Sequence, residues 1–408
     1  MKILIIGGGA GGMMAALSAA EDANNRVILL ERQARLGHKL LATGNGRCNL
    51  SNRRLCVENY HGAYPEFVRP ALEAFGPEDT LAFFEQRGLL TVTEPSGRVY
   101  PLSDQANSVV DTLRFALEQA GVEVVTGCDV VEVRKKARGY EAKDAAEHKY
   151  FGDKLIIACG GCAGKKLGGV HAGYRLLQML GHSCTGLYPS LTQIQTEPAL
   201  VRPLKGVRAD ARLRLRQNGK TLAQDEGELQ FTQFGVSGPL AFSLSRAAAV
   251  SDGTLTLLAD FLRAYSRDEV MALLRNKQKA LPGLPCGDFL SGTVQSRLGR
   301  VIVQRCGLEL SAPSGSLGED ELGAIAAMLQ YFELPVQGVL GFDYAQVTAG
   351  GVRTEEFDPK TLQSRLAPNV FAVGEVLDID GDCGGYNLQW AWSSGRLAGK
   401  SVTREAKP

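Results

Sequence analysis

Residues 1–12 read MKILIIGGGAGG, and this opening constrains the fold more than any other stretch. A short apolar run at 3–6 leads directly into Gly7-x-Gly9-x-x-Gly12, and an Ala-, Met- and Leu-rich segment follows. A second apolar run at 27–30 ends on Glu31, about 20 residues after the glycines. A glycine fingerprint alone is weak evidence. Set between a buried parallel strand and a helix, with an acid closing the next strand, it predicts a βαβ unit that holds an adenine dinucleotide. Gly7 permits the tight turn, Gly9 lets a pyrophosphate approach the backbone, and Gly12 lets helix and strand pack closely. The first helical turn offers unpaired N–H groups and a positive dipole end to phosphates. Glu31 can accept hydrogen bonds from a ribose diol. The rival reading is a glycine-rich turn that serves packing alone.

At 408 residues the chain is too long for one ordinary core, so two or three domains are expected. Lys and Arg number 45 against 44 Asp and Glu, which excludes a bulk electrostatic pull toward nucleic acid or acidic membranes and leaves a local patch open. The nine cysteines are odd in number and scattered, which fits a reducing cytoplasm better than a disulfide framework. Met1 and Lys2 lead straight into the first strand, so no signal peptide is expected. No apolar run reaches the roughly 18 residues of a membrane span.

Helices are predicted near 65–87 and over 108–120, with strands at 122–125, 129–134 and 154–159. From about Thr192 the texture changes to alternating strands with turns between them, then helices at 267–281 and 320–332, with another candidate inside 288–306. Strands return at 345–349 and 370–373. A long insertion therefore separates the beginning and end of one nucleotide-binding domain.

That domain's second half reads NVFAVGE at 369–375, then Gly384-Gly385 opening a helix over 386–399. In a dinucleotide site this brings a second helix N-terminus to the cofactor's far end. A flavin gains negative charge near N1 and O2 on reduction, and a helix N-terminus there stabilises it. Glu375 would hold the ribityl or pyrophosphate region. The alternative is a strand and helix that merely complete the sheet.

Four segments carry a family resemblance: KLLATGNGRCNLSN (39–52), FTQFGVSGP (231–239), VTAGGV (347–352) and GEVLDIDGDCGGYNLQWAWSSG (374–395). Together they resemble the HI0933-like flavoproteins (YhiN- or BaiN-type, aminoacetone oxidase-like), and the likeness spans the whole chain. It implies an α/β fold: a Rossmann-type, glutathione-reductase-like FAD-binding domain from 1–190 and 337–408, an inserted β-barrel-like domain from 191–262 and about 333–350, and a helical subdomain at 263–332. It also implies one non-covalent FAD. Its ADP half would lie on Gly7, Gly9, Ala10, Gly12, Glu31 and Arg32, with the Val131 backbone at the adenine. Lys39, Leu40, Thr43, Asn45, Gly46, Arg47 and Cys48 would line the stretch from pyrophosphate to flavin, and Gly160 a strand end packed on FAD. Gly374, Glu375, Asp378, Gly385, Tyr386, Asn387 and Leu388 would hold the ribityl chain and ring. The family usually has Thr where this chain has Cys159, and commonly another residue at Cys383.

No second GxGxxG follows a mid-chain strand; GGCAG at 160–164 lacks the spacing. Either NAD(P)H docks transiently on the flavin face or another donor reduces the flavin. Cys159 and Cys162 form a C-x-x-C, read either as a dithiol or as small residues at a crowded turn, and no metal site is predicted. Cys48 is the one candidate for catalysis, as a proton donor or as a packed side chain. Arg212, Arg214 and Arg216 fall on one strand face, either a solvated surface or a phosphate-contacting one. The five histidines look isolated, with His38 in the cofactor loop.

The expected function is an FAD-dependent oxidoreductase moving hydride through flavin N5, NAD(P)H-linked, on a small-molecule substrate. One alternative is reduction of a uridine in ribosomal RNA, which the resemblance suggests and the basic strand would serve. The other is a flavin/thiol redox sensor without turnover. A cytoplasmic location is expected, with no membrane association and no stable protein partner.

Overall fold

The computed structural model describes residues 1–403, which group into two compact units: 1–188 with 346–403, and 189–345. The chain begins β1 (Lys2–Ile6), α1 (Ala10–Ala19), β2 (Arg26–Leu30), then a short β3 (Tyr60–His61). After β4 (Glu123–Val125) comes the meander β5 (Val130–Lys135), β6 (Tyr140–Asp144), β7 (Lys149–Gly152), and then β8 (Lys154–Ile157). The second unit holds β9 (Ile194–Thr196), β10 (Arg208–Gln217), β11 (Lys220–Phe231), β12 (Gly235–Ser237), α2 (Pro239–Val250) and β13 (Leu255–Asp260). Helices α3 (Arg267–Ala280), α4 (Ser296–Arg305) and α5 (Glu319–Gln330) precede β14 (Phe332–Val339). The first unit resumes with β15 (Val370–Ala372), β16 (Asp380–Gly381) and α6 (Tyr386–Ser401).

The first unit is built on a parallel sheet in the order β15-β8-β1-β2-β4. β8 is buried at every position and β1 at all but Lys2, so both read as unbroken apolar runs rather than alternations. α1 buries eight of its ten residues, because its other side packs on α6. The helical pattern near 65–87 breaks into Arg69–Ala74 and Pro77–Glu85. Pro77 starts the second piece, where its missing N–H costs nothing, and Asp79 accepts a hydrogen bond from the Gly76 N–H at 2.9 Å.

In the second unit β9, β12, β11, β10, β13 and β14 close a barrel. Leu213, Leu257 and Phe332 of the barrel share one core with Leu298, Ile302, Leu322 and Ile325 of the helices. Residues 263–332 thus bury their apolar faces on the barrel and have no separate core, which differs from the helical subdomain expected above. β14 belongs to the barrel through Val339, and residues from Gln346 onward belong to the first unit. Among the described residues no helix is long and apolar enough to cross a membrane.

Candidate functional site

The glycine turn behaves as its sequence requires. Gly7 has φ +111°, and a Cβ there would lie 2.3 Å from the Ala158 carbonyl oxygen. A Cβ on Gly12 would lie 1.8 Å from the Gly7 oxygen, so strand and helix are in backbone contact. Gly9 is different: a Cβ there would meet nothing within 4 Å. Protein packing does not demand a glycine at this position, whereas a pyrophosphate laid on the backbone does. Neither α1 nor α6 has a side-chain cap or an acidic residue in its first turn. Both leave N–H groups and a positive dipole end for an anion.

These two helices run parallel. Gly11 packs on Ala391 and Gly395, and Ala15 on Gly399. Residue 391 is thus level with the start of α1, and the N-terminus of α6 projects about 7 Å further at 1.5 Å per residue. One extended dinucleotide can therefore meet α1 with its phosphates and α6 with its flavin end.

The side chains expected at the ligand fall into three groups. At the ADP end, the Glu31 carboxylate accepts from the Gly8 N–H at 2.6 Å and the Gln33 N–H at 2.7 Å, and the Arg32 guanidinium donates to the Gly168 carbonyl at 3.2 Å. Val131 is the extra residue where the β5–β6 register shifts between Val130 and Glu132, so its backbone falls outside the ladder. In the middle, Lys39 Nζ meets Glu375 Oε2 at 2.7 Å although 336 residues separate them. The other Glu375 oxygen accepts from the Thr348 N–H at 2.8 Å, and the Thr348 hydroxyl accepts from the N–H groups of Cys162 and Ala163. Gly160 (φ +68°) and Gly374 (φ +72°) flank this pair with open space where a Cβ would be; only Glu375 Oε2, 4.0 Å away, approaches the Gly160 position.

At the far end, Gly385 has φ +100° and a Cβ there would lie 2.4 Å from the Ser51 carbonyl oxygen. Asn387 exchanges two 2.8 Å hydrogen bonds with the Gly381 backbone, and Tyr386 and Leu388 are half-buried in the same first turn of α6. Asp378 is buried and accepts from the Ala63 N–H at 3.1 Å. In the loop between, Thr43 bonds back to the Leu40 carbonyl, and Asn45 and Cys48 take left-handed φ values with Gly46. Arg47 turns away to Asp104 and Glu94 and lies 3.9 Å over the Tyr100 ring.

The thiols take the packing role. Cys48 is fully buried, and burial pushes its thiol up to about 12. Cys159 faces the Ile6 carbonyl and is likewise pushed up to about 12 by burial, whereas Cys162 faces Thr348 Oγ1 at 3.6 Å. Thiols so protonated, with separate partners, are poorly suited to exchange electrons as a dithiol. None of the nine cysteines is assigned to a disulfide, and no group of three or more His, Cys, Asp or Glu set for a metal exists among the described residues.

The basic strand is less basic than its sequence suggests. Arg212 pairs with Glu226 directly across β10–β11 at 2.6 Å. Arg263 bridges Glu226 and Asp210, and Arg208 lies 3.6 Å from Glu228.

Sequence reasoning missed Thr348, whose backbone N–H holds Glu375, and Trp390 and Ser394, whose side chains hold the Gly374 backbone. The Trp390 ring N–H donates to the Gly374 carbonyl, and Ser394 Oγ accepts from the Gly374 N–H. The histidines are not isolated either: His61, His148 and His182 each meet a carboxylate.

The HI0933-like protein Rossmann domain profile matches residues 1–401. The chain belongs to the HI0933-like family. A 3-dehydro-bile acid delta(4,6)-reductase of Clostridium scindens is 38% identical to this HI0933-like chain over 384 residues, 93% of each protein. A ribosomal RNA dihydrouridine synthase of Escherichia coli is 28% identical over 380 residues, 91% of this chain and 90% of the relative. The solved 3-ketosteroid-delta4-(5alpha)-dehydrogenase of Rhodococcus jostii, complexed with 4-androstene-3,17-dione, shares the fold: TM-score 0.50, 14% identity, 99% of this chain and 96% of that one. Family and fold place the HI0933-like chain among FAD-dependent oxidoreductases with a Rossmann FAD-binding domain.

Proposed function

We propose that this chain is an NAD(P)H-linked reductase of a small molecule bearing a carbon–carbon double bond conjugated to a carbonyl. The two curated relatives support the reaction class, since a dienone of a 3-dehydro-bile acid and the C5–C6 bond of uridine are both conjugated to a carbonyl. FAD held by the site residues would supply two-electron hydride chemistry through N5. The chain's part is to hold it. The glycine turn takes the phosphates, Lys39 and Glu375 take the middle, and the first turn of α6 stabilises the negative charge that accompanies reduction.

One observation carries the choice of a small molecule over a nucleic acid: Arg212, Arg208 and Arg263 are engaged by Glu226, Glu228 and Asp210. Guanidiniums paired this way compete poorly for phosphates. The second reading, reduction of a uridine in ribosomal RNA, is favoured by the E. coli relative.

The test is an anaerobic titration of the FAD-loaded protein with NADH and NADPH, followed by a 3-oxo-4,6-diene steroid. Bleaching of the flavin band by a nicotinamide, and its return on adding the dienone, is the expected result. A band that stays oxidised with both nicotinamides removes the NAD(P)H link. Return only on admitting air removes the substrate class.

A further inference from the structure

Adding hydrogen across a conjugated double bond needs a hydride at the bond's carbon farther from the carbonyl and a proton at its other carbon. Two of the side chains placed along the cofactor above are poor sources of that proton: Cys48 is buried with its thiol pushed up to about 12, and Lys39 is paired with Glu375. At the opening of α6, however, stands a dyad. His61 Nε2 lies 2.7 Å from Asp382 Oδ1, each side chain about one-third exposed.

The dyad is built into the loop that enters α6. β3 pairs antiparallel with β16, His61 opposite Asp380 and Tyr60 opposite Gly381. The Tyr60 hydroxyl donates to the Tyr386 carbonyl at 3.0 Å, tying β3 to the first residue of the helix. Asp382 is fixed from two further sides: its N–H donates to the Asn59 carbonyl at 2.9 Å, and Asn59 Nδ2 donates to its Oδ2 at 3.1 Å. With the loop already held by Tyr60, Asn59 and Asn387, a partly exposed ion pair adds little stability of its own. Its geometry instead orients an imidazole, one ring nitrogen on a carboxylate and the other, Nδ1, without a partner among the described residues.

We infer that His61 is the proton donor of this reductase and that Asp382 is the positioning residue that orients its ring. This rests on the reading in the preceding section. The hydride taken up by the carbon distal to the carbonyl would be supplied by NAD(P)H and bound FAD. The imidazolium N–H of His61 breaks and a C–H bond forms at the adjacent carbon. His61 is left neutral and is reprotonated from solvent, so substrate, NAD(P)H and one proton give the reduced substrate and NAD(P)+.

The test uses FAD-loaded wild type, His61→Gln and Asp382→Asn, matched for flavin content and melting temperature. Each is reduced anaerobically by the nicotinamide, then mixed with the 3-oxo-4,6-diene steroid or with ferricyanide, which needs no proton. His61→Gln should slow reoxidation by the dienone about 100-fold or more and erase the solvent deuterium effect on that step. Nicotinamide reduction and ferricyanide reoxidation should stay unchanged. An equilibrium readout accompanies the kinetics: 4-nitrophenol should bind the oxidised wild type as the phenolate, and about tenfold more weakly in both variants. Dienone reoxidation at the wild-type rate in His61→Gln, or unchanged phenol binding, overturns the inference while the proposed function stands. Failure of the wild type to be reoxidised by the dienone overturns both.

Discussion

Gly11 and Gly395 face each other across α1 and α6: a Cβ on Gly395 would stand 2.4 Å from the Gly11 carbonyl oxygen. With Gly399 against Ala15, this lets two parallel helices approach to backbone contact. Their N-termini then open on the same side at different heights. The staggered pair is what a long, doubly charged cofactor needs, and it follows from small residues near the two ends of the chain.

The contrast between Gly9 and Gly12 separates binding from folding. Gly9→Ala should leave the melting temperature within about 2 °C of wild type, since nothing lies within 4 Å of the added Cβ, yet should lower retained FAD sharply. Gly12→Ala drives a methyl into the Gly7 carbonyl and should cost more than about 3 kcal/mol or prevent folding. Thermal melts and flavin absorbance measure both. Full flavin content in Gly9→Ala would remove the pyrophosphate from this turn.

Glu375→Gln should weaken FAD binding about tenfold or more, because Lys39 loses its counter-charge and the Thr348 N–H loses a charged acceptor. Fluorescence titration of the apoprotein with FAD gives the number. A Lys39→Met, Glu375→Gln double variant should bind no worse than the sum of the two single losses.

Acid should loosen the fold in two steps. His182 lies buried with Nδ1 2.7 Å from Glu356 and Nε2 2.9 Å from Ser364, its ring stacked on Phe357. Burial holds its pKa below the usual 6.5 despite Glu356. The Glu356 carboxyl is raised by burial, but the bonds from Ser183 and His182 outweigh that and hold it below the usual range. Both pKa values are lower folded than unfolded, so the unfolded chain takes up each proton first. The His182 contribution is complete above pH 6.5 and is lost as pH falls below that value toward its folded pKa; that of Glu356 is lost lower still. Melting temperature should fall on acidification below about pH 6.5, and His182→Gln should flatten that first step. An unchanged profile in the variant would place the titration elsewhere.

Charge reversal at Arg212, Arg214 and Arg216 separates the two substrate readings. The small-molecule reading expects dienone reduction within about twofold of wild type, since these side chains decorate the barrel exterior. An enzyme acting on ribosomal RNA would lose its activity with flavin content intact.

The βαβ opening was legible because strand, glycine turn, helix and acid lie within 31 consecutive residues and each constrains its neighbour. Glu375 was legible from the strand, glycine and acid of NVFAVGE and Lys39 through the family resemblance, but their contact was not, since nothing local relates positions so far apart. His61 and Asp382 went unread for the same reason, with no motif to flag them. The arginine face of β10 was read correctly as a face and incompletely as a charge: Glu226 meets Arg212 only through the hairpin register, which shifts between Leu215 and Arg216. For α3, α4 and α5 the apolar periodicity announced helices without saying that the barrel would be their partner.

The pairing of Gly11 with Gly395 also has a consequence in time. During synthesis at roughly 5–20 residues per second, α1 waits tens of seconds for the helix it packs against. The barrel strands, all between Ile194 and Val339, are complete well before that. The cofactor cradle is therefore the last part of the chain to close, and a ribosome stalled short of Tyr386 would leave α1 with its apolar face bare and a finished barrel behind it.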